Sequence, residues 1–167
     1  ITYSASITLE SIATSYSSLL LNGTINGTVH YKRFVNSYTD DAINNDNDLI
    51  SAPLKGQTFG SFATANTNLL ASESLRAFAP FDKTTGSYTN YDTFINSGSI
   101  ITAGTGYRVA TNNGATVTFT GEVQKGIVTV DIVDDGLNFA AWNLIGNPYP
   151  SYVSAFAFLD YKVAPGV

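Results

Sequence analysis

The group of residues best suited to metal binding is an acidic, amide-rich loop around residues 36–48. Asn44, Asp46 and Asp48 alternate along it, and Ca²⁺ prefers such carboxylate and amide oxygens. The spacing is that of the start of an EF-hand loop, but Leu49 stands where that loop needs glycine. No glutamate follows at the twelfth position. Two interpretations stay open, a weak calcium site and a solvated turn, and the departures favour the turn.

A second acidic group comprises Asp131, Asp134 and Asp135, directly before Gly136. Glycoside hydrolysis needs two carboxylates that flank the sugar bond, and nothing in the sequence places another one opposite this group. An Asp-Asp-Gly sequence is first of all a turn signal. We therefore expect no catalytic residue here, although these aspartates are the first to test for activity.

Other catalytic patterns find little support. His30 is the only histidine, and the chain has no cysteine, so a thiolate nucleophile is excluded. A G-x-S-x-G sequence is absent, and Gly104-Thr105-Gly106 lacks the third glycine of a phosphate-binding loop. We expect a non-enzyme in which His30 is an outward strand residue.

Two Asn-Gly-Thr sequences begin at Asn22 and Asn26 and match the N-glycosylation sequon. Asn-Gly is also a strong turn signal, since both residues tolerate positive φ. We interpret both as turns.

Aromatic residues are the best candidates for ligand contact, since aromatic faces beside amides bind sugars or proteins at low entropic cost. In a β-sandwich most such residues would instead form the core. They cluster in two stretches: Phe78, Phe81, Tyr88, Tyr91 and Phe94, then Tyr149, Tyr152, Phe156, Phe158 and Tyr161.

Composition narrows the class of protein. The 167 residues carry a net charge of −5, which argues against a nucleic-acid partner. Only 13% of residues are charged, while Ser, Thr and Asn are abundant. A polar, uncharged surface with many Thr, Tyr, Phe and Val residues is typical of an extracellular all-β protein. No apolar run approaches the roughly 18 residues that span a bilayer, so we expect no membrane insertion.

Hydrophobic periodicity and turn signals every 8–12 residues predict an all-β fold, an antiparallel, jelly-roll-like β-sandwich of about ten short strands with little helix. The clearest strand is Thr28–Val35, where Val29, Tyr31, Arg33 and Val35 share one face. The sole predicted helix is Val153–Lys162. The other predicted strands are Leu49–Ala52, Thr58–Ala63, Ser74–Phe81, Ser87–Tyr91, Ser99–Thr102, Gly106–Ala110, Thr116–Thr120, Ile127–Val133 and Ala141–Ile145.

No linker divides the chain, which predicts one domain over residues 1–167, or part of one. Residues 1–27 leave open a separate N-terminal β segment. The chain begins with Ile1 and shows no signal peptide, so we expect a mature fragment of a longer polypeptide.

The stretch 142–151, WNLIGNPYPS, carries a specific resemblance. It is similar to a signature of large secreted and cell-surface proteins of the Bacteroidetes, which typically leave the cell by the type IX secretion system. Further segments resemble family motifs in the same order: HYKRFV (30–35), DLISAPLKGQTF (48–59), FDKTTGSYTNY (81–91), GTGYRV (104–109) and TFTG (118–121).

The resemblance implies a β-sandwich, a surface location, a non-catalytic role and secretion through a segment outside this chain. Within the signature, Trp142, Leu144 and Ile145 are expected to enter the core. Pro148 and Pro150 fix φ, so the signature should form a rigid exit from a strand.

The leading functional hypothesis is a structural or adhesive module of a bacterial surface protein. Its partners would be other surface proteins, copies of itself or glycans, and one form of the hypothesis has copies assembling into a fibre or layer. The alternative is a carbohydrate-binding accessory module of a secreted hydrolase. No ligand-binding residue follows from the sequence.

Overall fold

The computed structural model describes residues 6–37, 47–134, 139 and 141–160. These residues form short strands and two short helices, so the expected all-β, sandwich-like fold with little helix is confirmed. The helices are α1 (Phe59–Ala65) and α2 (Ala155–Leu159). The strands are β1 (Ile7–Leu9), β2 (Ser11–Ile12), β3 (Ser15–Tyr16), β4 (Val29–Val35), β5 (Asp48–Ser51), β6 (Leu54–Lys55), β7 (Ala71–Ser72), β8 (Leu75–Arg76), β9 (Phe78–Asp82), β10 (Ser87–Tyr88), β11 (Tyr91–Asp92), β12 (Gly106–Val109) and β13 (Ala115–Val123).

Two four-stranded sheets contain the longest strands. The first has the order β1-β4-β13-β6 and the second the order β10-β9-β12-β5. Strand β4 pairs antiparallel with β13 along its whole length, from Val35 opposite Ala115 to Val29 opposite Gly121. Strand β1 joins the other edge of β4 in parallel. The strand predicted at Thr28–Val35 is thus the centre of the first sheet.

The core lies between these sheets and is rich in aromatic rings. Phe62 of α1 contacts one ring from each sheet, since its ring centroid is 4.9 Å from that of Phe119 and 4.9 Å from that of Phe78. Phe78 in turn stacks on Tyr107, at 4.4 Å between centroids. The alternation in β4 directs Val29, Tyr31 and Val35 into this core. Helix α1 therefore joins the two sheets through packing.

The strand predicted at Thr58–Ala63 is wrong, because these residues begin helix α1. Thr58 is the N-cap, and its hydroxyl accepts a hydrogen bond from the Ser61 backbone N–H. Phe59, Phe62 and Ala63 are buried, which is the spacing of one helical face rather than strand alternation.

Three further strand predictions are also wrong. Ser99–Thr102 contributes only an isolated bridge between Thr58 and Ile100. Neither Ile127–Val133 nor Ala141–Ile145 forms a strand, although Ile145 makes one bridge with Thr105. These segments have strand-like composition but find no continuous partner strand among the described residues. The helix predicted near residue 153 is confirmed as α2, in a shorter form.

The expected burial of Trp142 is wrong, since its side chain is 61% exposed. Its ring packs on Phe139, at 4.7 Å between centroids, and Phe139 is itself 55% exposed. Leu144 and Ile145 are half-buried and lie outside the core cluster. The Leu144 side chain covers Gly106, at a spot where a Cβ would come within 2.6 Å of Leu144 Cγ. The signature thus packs across the outside of β12 instead of entering the core.

Candidate functional site

A surface cleft of about 250 Å³ lies where β4 and β5 meet the end of the signature. We call it the Tyr–Arg cleft. Its polar and aromatic lining comes from Tyr16, Tyr31, Arg33, Ser51, Asn147 and Tyr152. The volume is just below the range typical of ligand pockets, which suits a group the size of one ring.

Three segments that carry the family resemblance meet in this cleft. HYKRFV supplies Tyr31 and Arg33, DLISAPLKGQTF supplies Ser51, and the signature supplies Asn147. These segments are far apart in the chain, and only sheet pairing and the packing of the signature bring them together.

Arg33 stacks on an aromatic pair at one wall of the cleft. Its guanidinium carbon lies 3.6 Å from the centroid of the Tyr16 ring, and Tyr16 packs against Tyr152 at 4.9 Å. The Tyr152 hydroxyl donates a hydrogen bond to the Tyr16 carbonyl oxygen at 2.9 Å, which holds the pair together. Such a cation–π contact positions the guanidinium while using only its face.

The signature forms the opposite wall through a hydrogen-bonded turn. The Asn147 side chain donates to the Ser151 carbonyl oxygen at 2.6 Å and accepts from the Tyr149 N–H at 3.0 Å. The Ser51 hydroxyl donates to the Asn147 carbonyl oxygen at 2.8 Å, which joins the turn to β5. The expected exit from a strand is wrong, since residues 141–145 form no strand, and the turn after them lines the cleft through Asn147, Tyr149 and Ser151.

Tyr31 presents its hydroxyl to the cleft from a buried position. The residue is only 7% exposed, and its hydroxyl makes no hydrogen bond to another described residue. No side-chain polar atom in the described ranges is both fully buried and unpaired, so this hydroxyl reaches the solvent of the cleft. Burial raises the pKa of Tyr31, and the Arg33 charge acts in the opposite direction. The phenol therefore stays protonated at neutral pH and can donate a hydrogen bond.

The guanidinium N–H donors of Arg33 likewise have no partner among the described residues. Within the described ranges it forms neither an ion pair nor a hydrogen bond, whereas the neighbouring Lys32 pairs with Glu10 at 2.9 Å. The carboxylate that lines the adjoining cavity belongs to Asp48, and its two oxygens accept from the Asn36 backbone N–H and side-chain amide.

This pairing places Asp48 in a structural role at the start of β5. Asn44 and Asp46, the other calcium candidates, lie outside the described residues. No group of three metal-ligating side chains occurs in the part of the chain that the structure describes. The described residues therefore test neither the weak calcium site nor the favoured solvated turn.

The second acidic group does not converge on the Tyr–Arg cleft. Asp131 and Asp134 are exposed, and Asp135 lies outside the described residues. His30 is half-buried, and its Nδ1 is 3.0 Å from the Thr120 hydroxyl in a cross-strand hydrogen bond. Asn22 and Asn26 are both exposed.

The two aromatic stretches differ in how far their side chains are buried. In the first, Phe78 is buried and Tyr91 packs against the core, but Phe94 is 83% exposed. In the second, Phe156 and Phe158 are 88% and 55% exposed, and Tyr161 lies outside the described residues. The expected core role therefore describes the first stretch better than the second.

A separate apolar groove of about 290 Å³ runs beside α2. Its apolar lining comprises Val128, Val130, Ile132, Ile145, Pro148 and Phe158. The backbone N–H groups of residues 127–132 donate no hydrogen bond to the described residues. This segment, which is neither helix nor strand, therefore presents both apolar side chains and unpaired backbone N–H groups to solvent.

The fold and the cleft define an all-β, sandwich-like domain with an aromatic cleft on its surface. A family model described as a domain of unknown function (DUF8693) matches residues 5–164, and the chain belongs to that family. The chain matches no curated protein and no solved structure. Among the described residues, neither helix is long or apolar enough to cross a membrane.

Proposed function

We propose that the domain is a non-catalytic, extracellular module of a bacterial surface protein and that it acts by adhesion. The resemblance of the signature to secreted Bacteroidetes proteins supports the location and export by type IX secretion. The adhesive contact is made by the apolar groove, and its first partner is a second copy of the chain.

The observation that carries this proposal is the uncovered apolar surface around the groove. Ile132 and Phe158, which line it, are 66% and 55% exposed, and the nearby chain leaves Ile127 93% and Leu159 80% exposed. Apolar patches of this kind mark contact surfaces. The unpaired N–H groups of residues 127–132 add a means of contact, since an extended segment can accept another strand.

Sedimentation velocity over a wide range of protein concentration tests the proposal. We expect oligomers that grow with concentration, and we expect the double variant Ile132→Ser/Phe158→Ser to remain monomeric. The matched control is Phe94→Ser/Ile95→Ser, which removes two side chains that are 83% and 84% exposed elsewhere. A wild-type chain that stays monomeric throughout would contradict self-association, and equal loss in both double variants would contradict the role of the groove.

The second candidate function is a carbohydrate-binding accessory module of a secreted hydrolase. The Tyr–Arg cleft favours it, because aromatic faces next to hydroxyl and amide groups suit a sugar ring. Binding to a glycan array, lost in a Tyr16→Ala/Tyr152→Ala variant, would support this candidate over simple adhesion.

A further inference from the structure

We propose that the Tyr–Arg cleft binds a carboxylated sugar of the uronic-acid type, with Arg33 and Tyr31 holding its carboxylate. This inference rests on the second candidate function, glycan binding, and is independent of the apolar groove. It names the chemical class of ligand, which the family match does not.

The first step is the availability of the Arg33 guanidinium. Stacking on Tyr16 at 3.6 Å occupies the face of the group, whereas its five N–H donors lie in the plane and point away from that ring. No described carboxylate forms an ion pair with Arg33, although the chain has more acidic than basic residues. A pre-positioned, unpaired guanidinium is suited to bidentate binding of a carboxylate.

The second step is the Tyr31 hydroxyl, which belongs to a side chain more than nine-tenths buried. Tyr31 and Arg33 line the same cleft. They are close enough that the positive charge of Arg33 acts to lower the pKa of Tyr31. Because this hydroxyl reaches the solvent of the cleft and has no partner among the described residues, it is free to donate to a ligand. Arg33 and Tyr31 together therefore offer two kinds of donor to one anionic group.

The third step concerns the remainder of the ligand. Tyr16 and Tyr152 provide aromatic surface beside the guanidinium, and the polar residues Ser51 and Asn147 also line the cleft. A pyranose ring has apolar C–H faces for the former and hydroxyl groups for the latter. The cleft volume of about 250 Å³ suits one such ring better than a longer peptide segment.

Titration calorimetry of the 167-residue chain with D-glucuronate, D-glucose and an N-acetylglutamate amide tests the proposal. We expect glucuronate to bind at least about tenfold more tightly than glucose, because charge-assisted bidentate hydrogen bonds exceed neutral ones. Binding should weaken as the pH falls below the pKa of the sugar carboxyl. Equal affinity for glucuronate and glucose would overturn the carboxylate assignment while leaving glycan binding intact.

Variants locate the site. Arg33→Gln should lower glucuronate affinity at least about tenfold, and Tyr31→Phe should lower it by a smaller factor. Arg108→Gln is the matched control, since Arg108 also stacks on a tyrosine, Tyr88, at 4.4 Å, but does not line the cleft. Arg33→Lys, which keeps the charge but loses the planar fork, covers the case in which Arg33→Gln fails to fold, and it should also weaken binding.

Besides equal affinity for the two sugars, three results would overturn the inference: no glucuronate binding, unchanged affinity in folded Arg33 variants, or tighter binding of the acidic amino-acid amide than of glucuronate. The last result would assign the cleft to an acidic peptide. Failure of both sugars to bind would also remove the second candidate function, whereas the sedimentation result would remain unaffected.

Discussion

The side chain of Asn66 completes the hydrogen bonding of Thr118 as a neighbouring strand would. The Thr118 N–H donates to Asn66 Oδ1 at 2.7 Å, and the Asn66 amide donates to the Thr118 carbonyl oxygen at 3.0 Å. Asn66 is only 3% exposed, and its amide also donates to the Phe62 carbonyl oxygen at the end of α1. The edge of β13 beyond its short pairing with β6 is thus closed by side chains.

We expect Asn66→Ala to lower the free energy of unfolding by about 2–4 kcal/mol. The variant removes the Asn66 partner of the half-buried Thr118 N–H and carbonyl groups, and an unsatisfied buried group costs roughly 1–3 kcal/mol. Urea denaturation measures the change. Asn68→Ala is the control, because Asn68 is half-buried and donates a single bond to the Thr116 carbonyl oxygen. A similar loss in both variants would contradict the strand-like role of Asn66.

We expect Gly146→Ala to destabilise the domain by about 1–3 kcal/mol through overpacking. A Cβ at residue 146 would overlap the Ser51 side chain and approach the Thr105 carbonyl oxygen at 3.1 Å. Thermal unfolding measures the effect. Gly23→Ala should be almost neutral, because a Cβ there meets no atom within 4 Å. A tolerated Gly146→Ala would show that the signature does not pack closely on β5.

Trp142, the only tryptophan, should report an exposed indole. We expect a long-wavelength emission maximum and efficient acrylamide quenching in the native protein, since the side chain is 61% exposed. Trp142→Phe should change the free energy of unfolding by no more than about 0.5 kcal/mol, as is usual for surface sites. Blue-shifted emission that resists quenching would indicate burial and contradict the structure.

Asp92 should make stability depend on acid pH. The hydrogen bond from the Ser74 hydroxyl, aided by the backbone N–H groups of Ile95 and Phe94, lowers the pKa of Asp92 below the ordinary aspartate value of 3.8. Because the folded-state pKa is depressed, the contribution is present above pH 3.8 and is lost as the pH falls through the folded-state pKa. The difference in the free energy of unfolding between wild type and Asp92→Asn, which we call the stability gap, should therefore shrink as the pH falls.

The control for that experiment is Asp131→Asn, which changes an exposed carboxylate that accepts no hydrogen bond from a described residue. Its stability difference from wild type at each pH is the baseline for the Asp92→Asn gap. Denaturant titrations at several pH values measure both gaps. A gap for Asp92→Asn that widens in acid would contradict the predicted sign.

Removal of metal ions should leave the melting temperature unchanged. A stabilising ion raises stability by RT ln(1 + [L]/Kd), so a chelator would lower the transition if the loop held calcium. The Asp48 oxygens are already occupied by Asn36, at 2.8 and 3.0 Å. A fall in melting temperature that Asp46→Ala abolishes would establish a calcium site.

The local sequence pattern was sufficient to predict a secondary-structure element where that element is long or has clear boundaries. Period-two alternation identified β4, because Val29, Tyr31 and Val35 on one face of that strand meet the core along a full-length partner strand. Short strand signals with turn signals every 8–12 residues correctly predicted an all-β class. Apolar spacing was misleading at Thr58–Ala63, where the Thr58 cap and the burial of Phe59, Phe62 and Ala63 favour a helix.

Trp142 and the cleft show what only the tertiary structure decided. Apolar composition predicted burial of Trp142, but the signature crosses the outside of β12, where one bridge through Ile145 replaces a paired strand. Sequence alone supplied the residue types of the cleft, including Tyr31, Arg33 and Asn147. Their convergence depends on the register of β4, the edge position of β5 and the hydrogen bond from Ser51 to Asn147. These contacts join residues nearly a hundred positions apart, and no local periodicity encodes them.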